Sequence, residues 1–351
     1  MKIHLATYMS IMLNRGGPTY KIQQMYKSLK ELDVDVCYFD MWDNKLKLTK
    51  NDLVHMFNAS VNTYGLAVNL ASYGARYVIN PIFFSNHPAW KIRIYQKMHT
   101  AAKLLLKRSY SDYDYYAETC RNACKVLPNT IAEGEILVNG LGVDRNKVKV
   151  IQNGVEERFA NADPKLFHEK YGIKDFVLYV GHLGSYRKNG INTIKALQKL
   201  DHQSVIIADV LKNNEGDWCR QQIEESKNIT LIEWIEHDDP LLASAYAAAN
   251  TFILPTMYET PGRAALEAGL AKCKIVITPY GGTKEYFKGY VNYAEPKSVN
   301  AILHSIQGTL NMQQTDELQN HILNNFTWKK IALKTVDLYR DVLFNEKEIT
   351  R

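Results

Sequence analysis

Short apolar runs, each followed by a longer helical pattern, recur from one end of the chain to the other. They occupy residues 3–8, 34–39, 52–57, 77–79, 125–127 and 148–151 in the first half. In the second half they fall at 176–180, 205–208, 229–232, 251–254, 274–277 and 290–293. A run too short for a helix, rich in Val, Ile and aromatic residues, reads as a strand buried on both faces. The helical stretch between two such runs carries the chain back over the sheet. The pattern therefore predicts an α/β fold with parallel sheets and crossover helices, and no repeat of solenoid length interrupts it.

At 351 residues the chain has room for two domains. The turn signal Asn153-Gly154 and the polar stretch 156–164 place the boundary near residue 157. Apolar residues make up 46% and charged residues 23%, which suits a folded chain. The net charge of +6 suits a phosphate-bearing substrate or an anionic surface. Zinc-finger spacing, basic-region heptads and RNA-binding sheet motifs are missing from the sequence, so no nucleic-acid partner is expected. Cys37, Cys120, Cys124, Cys219 and Cys273 are odd in number and scattered, which points to reduced thiols. Cys120 and Cys124 have no second pair and no His pair nearby, so no metal site is expected. The start, MKIHLATYMSIML, reads as a first strand rather than a leader. No run of about 18 apolar residues exists, and the expected location is the cytoplasm.

One stretch concentrates chemistry: ANTFILPTMYETPGRAALE, starting at Ala249. Strand 251–254 is followed by a loop with two prolines, then by an Ala- and Leu-rich helix from Gly262. Open α/β sheets bind ligands beyond the carboxyl ends of their strands, against helix N-termini. Thr256, Thr260, Pro261, Gly262 and Arg263 line that position, with Glu259 before the helix and Glu267 about two turns inside it. A carboxylate accepts hydrogen bonds in pairs, which suits neighbouring sugar hydroxyls. The alternative is that Glu259 answers the helix dipole and Glu267 is merely solvated.

Two further loops belong to the same sheet edge. Residues 181–190 bring Gly181, His182, Arg187 and Lys188, and residues 279–283 bring Gly281-Gly282. In a parallel sheet all such ends converge, so Arg187, Lys188 and Glu259 are expected in one cleft. Cations there suit a nucleoside diphosphate that gains charge as a sugar bond breaks, with no metal needed. The first half contributes Gly16-Gly17 at its first strand-to-helix turn, within Asn14-Arg15-Gly16-Gly17-Pro18. Residues 88–108, PAWKIRIYQKMHTAAKLLLKR, form a basic amphipathic helix or helix pair. Either it rests on an anionic membrane or its basic face is simply solvated. The following SYSDYDYY reads as a loop.

On these residues the chain resembles glycosyltransferase family 4, a family of retaining nucleotide-sugar enzymes with the GT-B fold. The motifs are E-x7-E at Glu259 and Glu267, the strand-loop YVGHLGSYRKNG, the linking segment VIQNGVEERF and the closing segment FTWKKIALKTVDLY. The resemblance implies two doubly wound Rossmann-like domains facing across a cleft. An acceptor-side domain, 1–157, would be completed by a C-terminal helix, 327–345, and a donor-side domain would span 158–326. It further implies that Glu259 contacts the donor sugar, Glu267 the ribose and Lys188 the diphosphate. Gly16-Gly17 would line the phosphate or acceptor side, and Trp234 and Ile235 the base.

Three departures from the family stand out. His182 replaces the usual arginine, with Arg187 a candidate substitute. Thr260-Pro261-Gly262 replaces Gly-Phe-Gly. A first-domain histidine facing the reacting carbon has no evident counterpart, Asn80 and His87 being the residues near that position, while His4 and His55 sit in apolar strand patterns. The implied activity is metal- and cofactor-independent transfer of a hexose-type sugar from a UDP- or GDP-sugar to a glycan, lipid-linked or other hydroxyl acceptor. Peripheral contact with an anionic membrane through 90–108 is a separate expectation, resting on the basic amphipathic stretch and not on the resemblance. A nucleotide-sugar epimerase on the same fold and a non-catalytic sugar-nucleotide binding protein are the alternatives.

Overall fold

The computed structural model describes residues 1–13, 16–85, 87–103 and 110–344. Asn14, Arg15 and residues 104–109, including the expected cations Lys107 and Arg108, lie outside the described residues, as does the end of the predicted closing helix beyond 344. The chain divides into two compact units, Met1–Gly154 with the segment from Trp328 onward, and Val155–Thr327.

In the first unit β1 (Lys2–Ala6), α1 (Gly17–Glu31), β2 (Asp35–Tyr38), β3 (Asp52–Phe57), α2 (Val61–Ser72) and β4 (Tyr77–Asn80) follow one another. After them come α3 (Ala89–Lys103), α4 (Asp112–Asn122), β5 (Lys125–Val126) and α5 (Ile131–Asn139). The sheet runs β2-β1-β3-β4-β5, every pair parallel. Its strands are apolar on both faces because helices cover both.

The second unit holds α6 (Lys165–Tyr171), β6 (Val177–Leu183), α7 (Gly190–Gln198), β7 (Ser204–Val210), α8 (Asn214–Glu224), β8 (Ile229–Glu233), α9 (Pro240–Ala248) and β9 (Thr251–Leu254). It continues with α10 (Arg263–Leu270), β10 (Lys274–Ile277), α11 (Thr283–Phe287), β11 (Asn292–Tyr293), α12 (Val299–Leu310) and α13 (Glu317–Asn325). Its sheet runs β11-β10-β9-β6-β7-β8, again parallel. Phe176, Tyr179, Phe252 and Phe287 fill its core. Each unit is thus a Rossmann-like α/β layer.

The last helix, α14 (Trp328–Phe344), belongs to the first unit. Its Ile331, Val336 and Tyr339 pack into the cluster formed by Ile3, Ile22 and Met25. Gly154 explains the entry to this helix. A Cβ there would lie 2.5 Å from Trp328 Cδ2, so only glycine lets the indole close on the backbone.

Three local expectations need correction. Residues 148–151 do not form a strand; Val148 makes only an isolated bridge to Val126, beside a strand that is itself two residues long. From Asp112 on, the tyrosine-rich segment is helical, as α4, because Ser111 and Asp114 close a capping box. The Ser111 N–H donates to Asp114 Oδ2 at 2.7 Å and its hydroxyl at 2.9 Å. Finally β6 extends through Gly181 and His182 to Leu183, paired opposite Val210, so the loop opens at Gly184 rather than Gly181.

Candidate active site

Strand order reverses between β6 and β9 in the second unit: β7 and β8 lie on one side, β10 and β11 on the other. A crevice opens at such a switch point, beyond the carboxyl ends of the two strands. The loops leaving β6 and β9 are 184–189 and 255–262, which carry Arg187, Lys188 and Glu259.

The backbone ties these loops together. The Met257 N–H donates to the Arg187 carbonyl at 2.9 Å, and the Asn189 amide donates to the Pro255 and Pro296 carbonyls, both at 2.7 Å. On the far side the Gly282 N–H donates to the Glu259 carbonyl at 2.8 Å, and the Glu259 N–H to that of Tyr280 at 3.2 Å. Gly281 is required for this closure. It sits at φ +88°, and a Cβ there would lie 2.1 Å from the Glu259 carbonyl oxygen. Gly262, at φ +89°, caps α10 where a Cβ would press on Leu254 and Ile277 at 3.2 Å.

Glu259 is 8% exposed. Its Oε1 accepts from Lys188 Nζ at 3.0 Å and Arg187 Nη1 at 3.1 Å. Burial pushes its carboxyl up, but Lys188 and Arg187 outweigh that and hold it below the usual carboxylate range. The Thr256 hydroxyl assists from the same loop. Two cations against one carboxylate leave a surplus of one positive charge beside a backbone-rich loop. That is an anion-binding arrangement.

Glu267, about one turn along α10, is buried in a network of its own. Its Oε1 faces His237 Nε2 at 2.9 Å and Arg263 Nε at 3.2 Å, and its Oε2 accepts from the Tyr246 hydroxyl at 3.0 Å. Burial raises its carboxyl and these partners more than reverse the shift. A solvated helix residue is therefore the wrong description of Glu267. His237 is the member that sequence reading missed. Its one signal is a histidine just past the carboxyl end of β8, in Glu236-His237-Asp238-Asp239 before the α9 N-terminus. On its other side His237 Nδ1 faces Asp238 at 3.4 Å and Glu156 at 3.5 Å. A His–carboxylate group of this kind suits a metal ion by ligand type. Here Arg158 Nε lies 3.5 Å from Glu156 and its guanidinium donates to the His237 carbonyl, so a cation already answers Glu156.

A third group lies at the end of β6. His182 stacks on Trp234, ring centroids 5.3 Å apart and planes 11° from parallel, and its Nδ1 lies 3.3 Å from Asp209 Oδ2. Trp234 is 38% exposed, whereas Ile235 is buried in the core of the unit. Only Trp234 of that expected pair offers a surface.

The remaining candidates sit in the first unit. Gly16 caps α1 in extended backbone, its N–H donating to Thr19 Oγ1 at 3.1 Å, and Gly17 opens the helix with free space where a Cβ would stand. Asn80 is wholly buried. Its side chain accepts from His55 Nε2 at 2.8 Å and donates to the Leu127 carbonyl, so it serves the interior rather than presenting itself to an acceptor. His87 is exposed, its N–H on Ser85 Oγ at 3.1 Å. His55 also meets the Tyr339 hydroxyl at 2.5 Å, and burial drives its pKa down to about 3, which keeps the ring neutral. Lys21 is buried against Asn129, its pKa lowered to about 7 by burial with Glu133 opposing; the same burial raises Glu133 to about 6.

Residues 163–326, within the second unit and just short of half the chain, match the family model described as Glycosyl transferases group 1. An uncharacterized glycosyltransferase of Methanocaldococcus jannaschii is 26% identical over 241 residues, covering 62% of this chain and 60% of that protein. The glycogen synthase of Mycobacterium tuberculosis is 24% identical over 206 residues, 55% of this chain and 48% of the relative. The chain thus spans about half to three fifths of the curated relatives it matches. Among solved structures, a sucrose-phosphate synthase from Thermosynechococcus elongatus superposes with TM-score 0.74 at 16% identity, covering 99% of this chain and 100% of the other. A glycosyltransferase from Rickettsia africae gives 0.70 at 16%, with 98% of both covered. Anabaena HepE in complex with UDP gives 0.68 at 17%, covering 96% and 99%. These likenesses establish the fold, a pair of Rossmann-like α/β units shared with those structures.

Proposed function

We propose that this protein is a retaining glycosyltransferase moving a hexose-type sugar from a UDP- or GDP-sugar to a hydroxyl acceptor without a metal ion. The observation that carries the reading is the Arg187–Lys188–Glu259 cluster at the switch point of the second sheet. Glu259, kept ionised by its two cations, accepts hydrogen bonds from the donor sugar. Lys188 and Arg187 turn from Glu259 to the diphosphate as it gains charge. Glu267, held rigid by Tyr246 and His237, receives the ribose hydroxyls, and Trp234 stacks against the base. The bond between the anomeric carbon and the phosphate oxygen breaks, and one to the acceptor oxygen forms on the same face. The acceptor proton passes to the departing phosphate, so no protein base is required. The occurrence of UDP in a structural relative supports the donor class. The expected location is cytoplasmic, with peripheral contact at a membrane.

The test is a thermal-shift panel of nucleotides and nucleotide sugars, followed by product stereochemistry read by NMR. A UDP- or GDP-sugar that raises the melting temperature and yields a retained glycosidic bond is expected. Indifference to every nucleoside diphosphate overturns the reading. A second reading, sugar-nucleotide binding without turnover, draws on His182, which stacks on Trp234 and pairs with Asp209 where the resembled family carries an arginine. Tight nucleotide binding with no transfer and no hydrolysis selects it.

A further inference from the structure

We propose that α3 is a membrane-docking helix that seats a Trp90–Ile94–Met98 stripe in the headgroup region of an anionic bilayer. The inference rests on the first unit alone and stands apart from the transfer reaction.

Helix α3 packs on its own unit by one narrow face. Ile92 lies in the apolar cluster with Leu137, and a Cβ on Gly140 would meet its side chain at 3.3 Å. Gln96 is buried on the same face, and His99 and Lys103 reach Asp114 of α4 at 2.9 and 3.1 Å. Ile92, Gln96, His99 and Lys103 follow one another at spacings of four, three and four residues, which is one side of a helix. At about 100° per residue, Trp90, Ile94 and Met98 fall on the opposite side. They are 60%, 50% and 68% exposed. A helix whose apolar stripe points away from the body it packs on has that stripe left over for something else.

Charge decides what that something is. Lys91 and Lys97 are exposed and flank the stripe on either side, and α3 contains no acidic residue. Neither lysine pairs with a carboxylate among the described residues; Lys91 Nζ instead lies 5.5 Å from the centre of the Trp90 ring. Trp at the rim of an apolar stripe and lysines beside it form the pattern of an interfacial helix lying flat on anionic lipid. The edge of the unit at which α3 begins adds to the apolar surface. Met9 and Leu13 follow β1 and Trp42 follows β2, at the same carboxyl edge that β4 leaves for α3. They are 84%, 85% and 87% exposed, the highest values of any large apolar side chain described.

Co-sedimentation tests the proposal, with vesicles of phosphatidylcholine alone and of phosphatidylcholine mixed with phosphatidylglycerol. The wild-type protein is expected to sediment with the mixed vesicles only, and less so as salt rises. Lys91→Glu/Lys97→Glu and, separately, Trp90→Ser/Ile94→Ser/Met98→Ser each weaken binding about 10-fold or more. All five side chains are exposed, so melting temperatures stay at the wild-type value. Val68→Ser/Tyr73→Ser, which removes exposed apolar groups from the α2 region, binds like wild type. Indifference to phosphatidylglycerol, or wild-type binding by the triple serine variant, overturns the proposal. So does a dimer in sedimentation velocity that the triple variant dissolves, since a second copy would then be the occupant.

Discussion

Lys188→Met and Glu259→Gln together distinguish a working clamp from a merely structural ion pair. The two groups lie 3.0 Å apart, with side chains 15% and 11% exposed. At an effective dielectric of about 20, unit charges roughly 4 Å apart attract by about 4 kcal/mol, and desolvation offsets much of that. An incoming diphosphate must compete with Glu259 for Lys188 and Arg187. Removing the Glu259 charge while keeping its shape releases both cations to the anion. Glu259→Gln is therefore expected to bind UDP or GDP at least as tightly as wild type, yet to transfer sugar about 100-fold more slowly or worse. That is the scale of losing one preorganised contact to the transition state. Lys188→Met also loses about 100-fold or more in turnover, but it weakens nucleotide binding, because Arg187 alone then serves both Glu259 and the phosphates. Isothermal titration reads the nucleotide, and product formation under saturating donor reads the turnover. Near-normal turnover in both variants would falsify the assignment. So would equal losses of melting temperature with unchanged nucleotide affinity, which is how a purely structural pair behaves.

Other consequences are separable from this one. If Glu267 reads ribose, wild-type protein prefers ribonucleotides over 2′-deoxynucleotides by about 10-fold, the worth of one hydrogen bond to a charged group. His237→Ala and Glu267→Gln both collapse that ratio, and competition binding measures it. Gly281→Ala forces a side chain into a left-handed backbone and onto the Glu259 carbonyl, and is expected to cost about 2 kcal/mol or more in denaturant unfolding. His55, with a folded pKa of about 3 against an ordinary 6.5, takes up a proton in the unfolded chain first. Its contribution is therefore complete above about pH 6.5 and is lost as pH falls towards 3, by up to ~1.4 kcal/mol per pH unit. His55→Gln flattens that acid limb in pH-dependent melting, and an unchanged limb contradicts the buried neutral ring.

The parallel sheets were readable because nearly all of their strands lie on short apolar runs, which burial on both faces demands. One run, 148–151, is not a strand: it bonds to the chain around the two-residue β5 only through the Lys149 N–H on the Val126 carbonyl and the Ile151 N–H on that of Pro128. Helix α4 was hidden for the opposite reason. Its tyrosines imitate a loop, and only the Ser111–Asp114 pair, three residues apart, marks its start. Within the site, Arg187, Lys188 and Glu259 could be brought together from sequence because strand carboxyl ends share an edge. What sequence could not supply was the pairing. Nothing in the order of residues says that both cations settle on one carboxylate oxygen, or that His237, 30 residues before Glu267, buttresses it. Those facts depend on side-chain reach across neighbouring strands, where residues far apart in the chain become partners. The same holds for α3. Its sequence announces basic and apolar residues on one helix, but only the packing of Ile92 and Gln96 shows that an apolar stripe is turned outward together with the lysines. The helix is therefore amphipathic twice over, once towards its own unit and once towards whatever lies outside, and it is the second stripe that folding alone leaves unexplained.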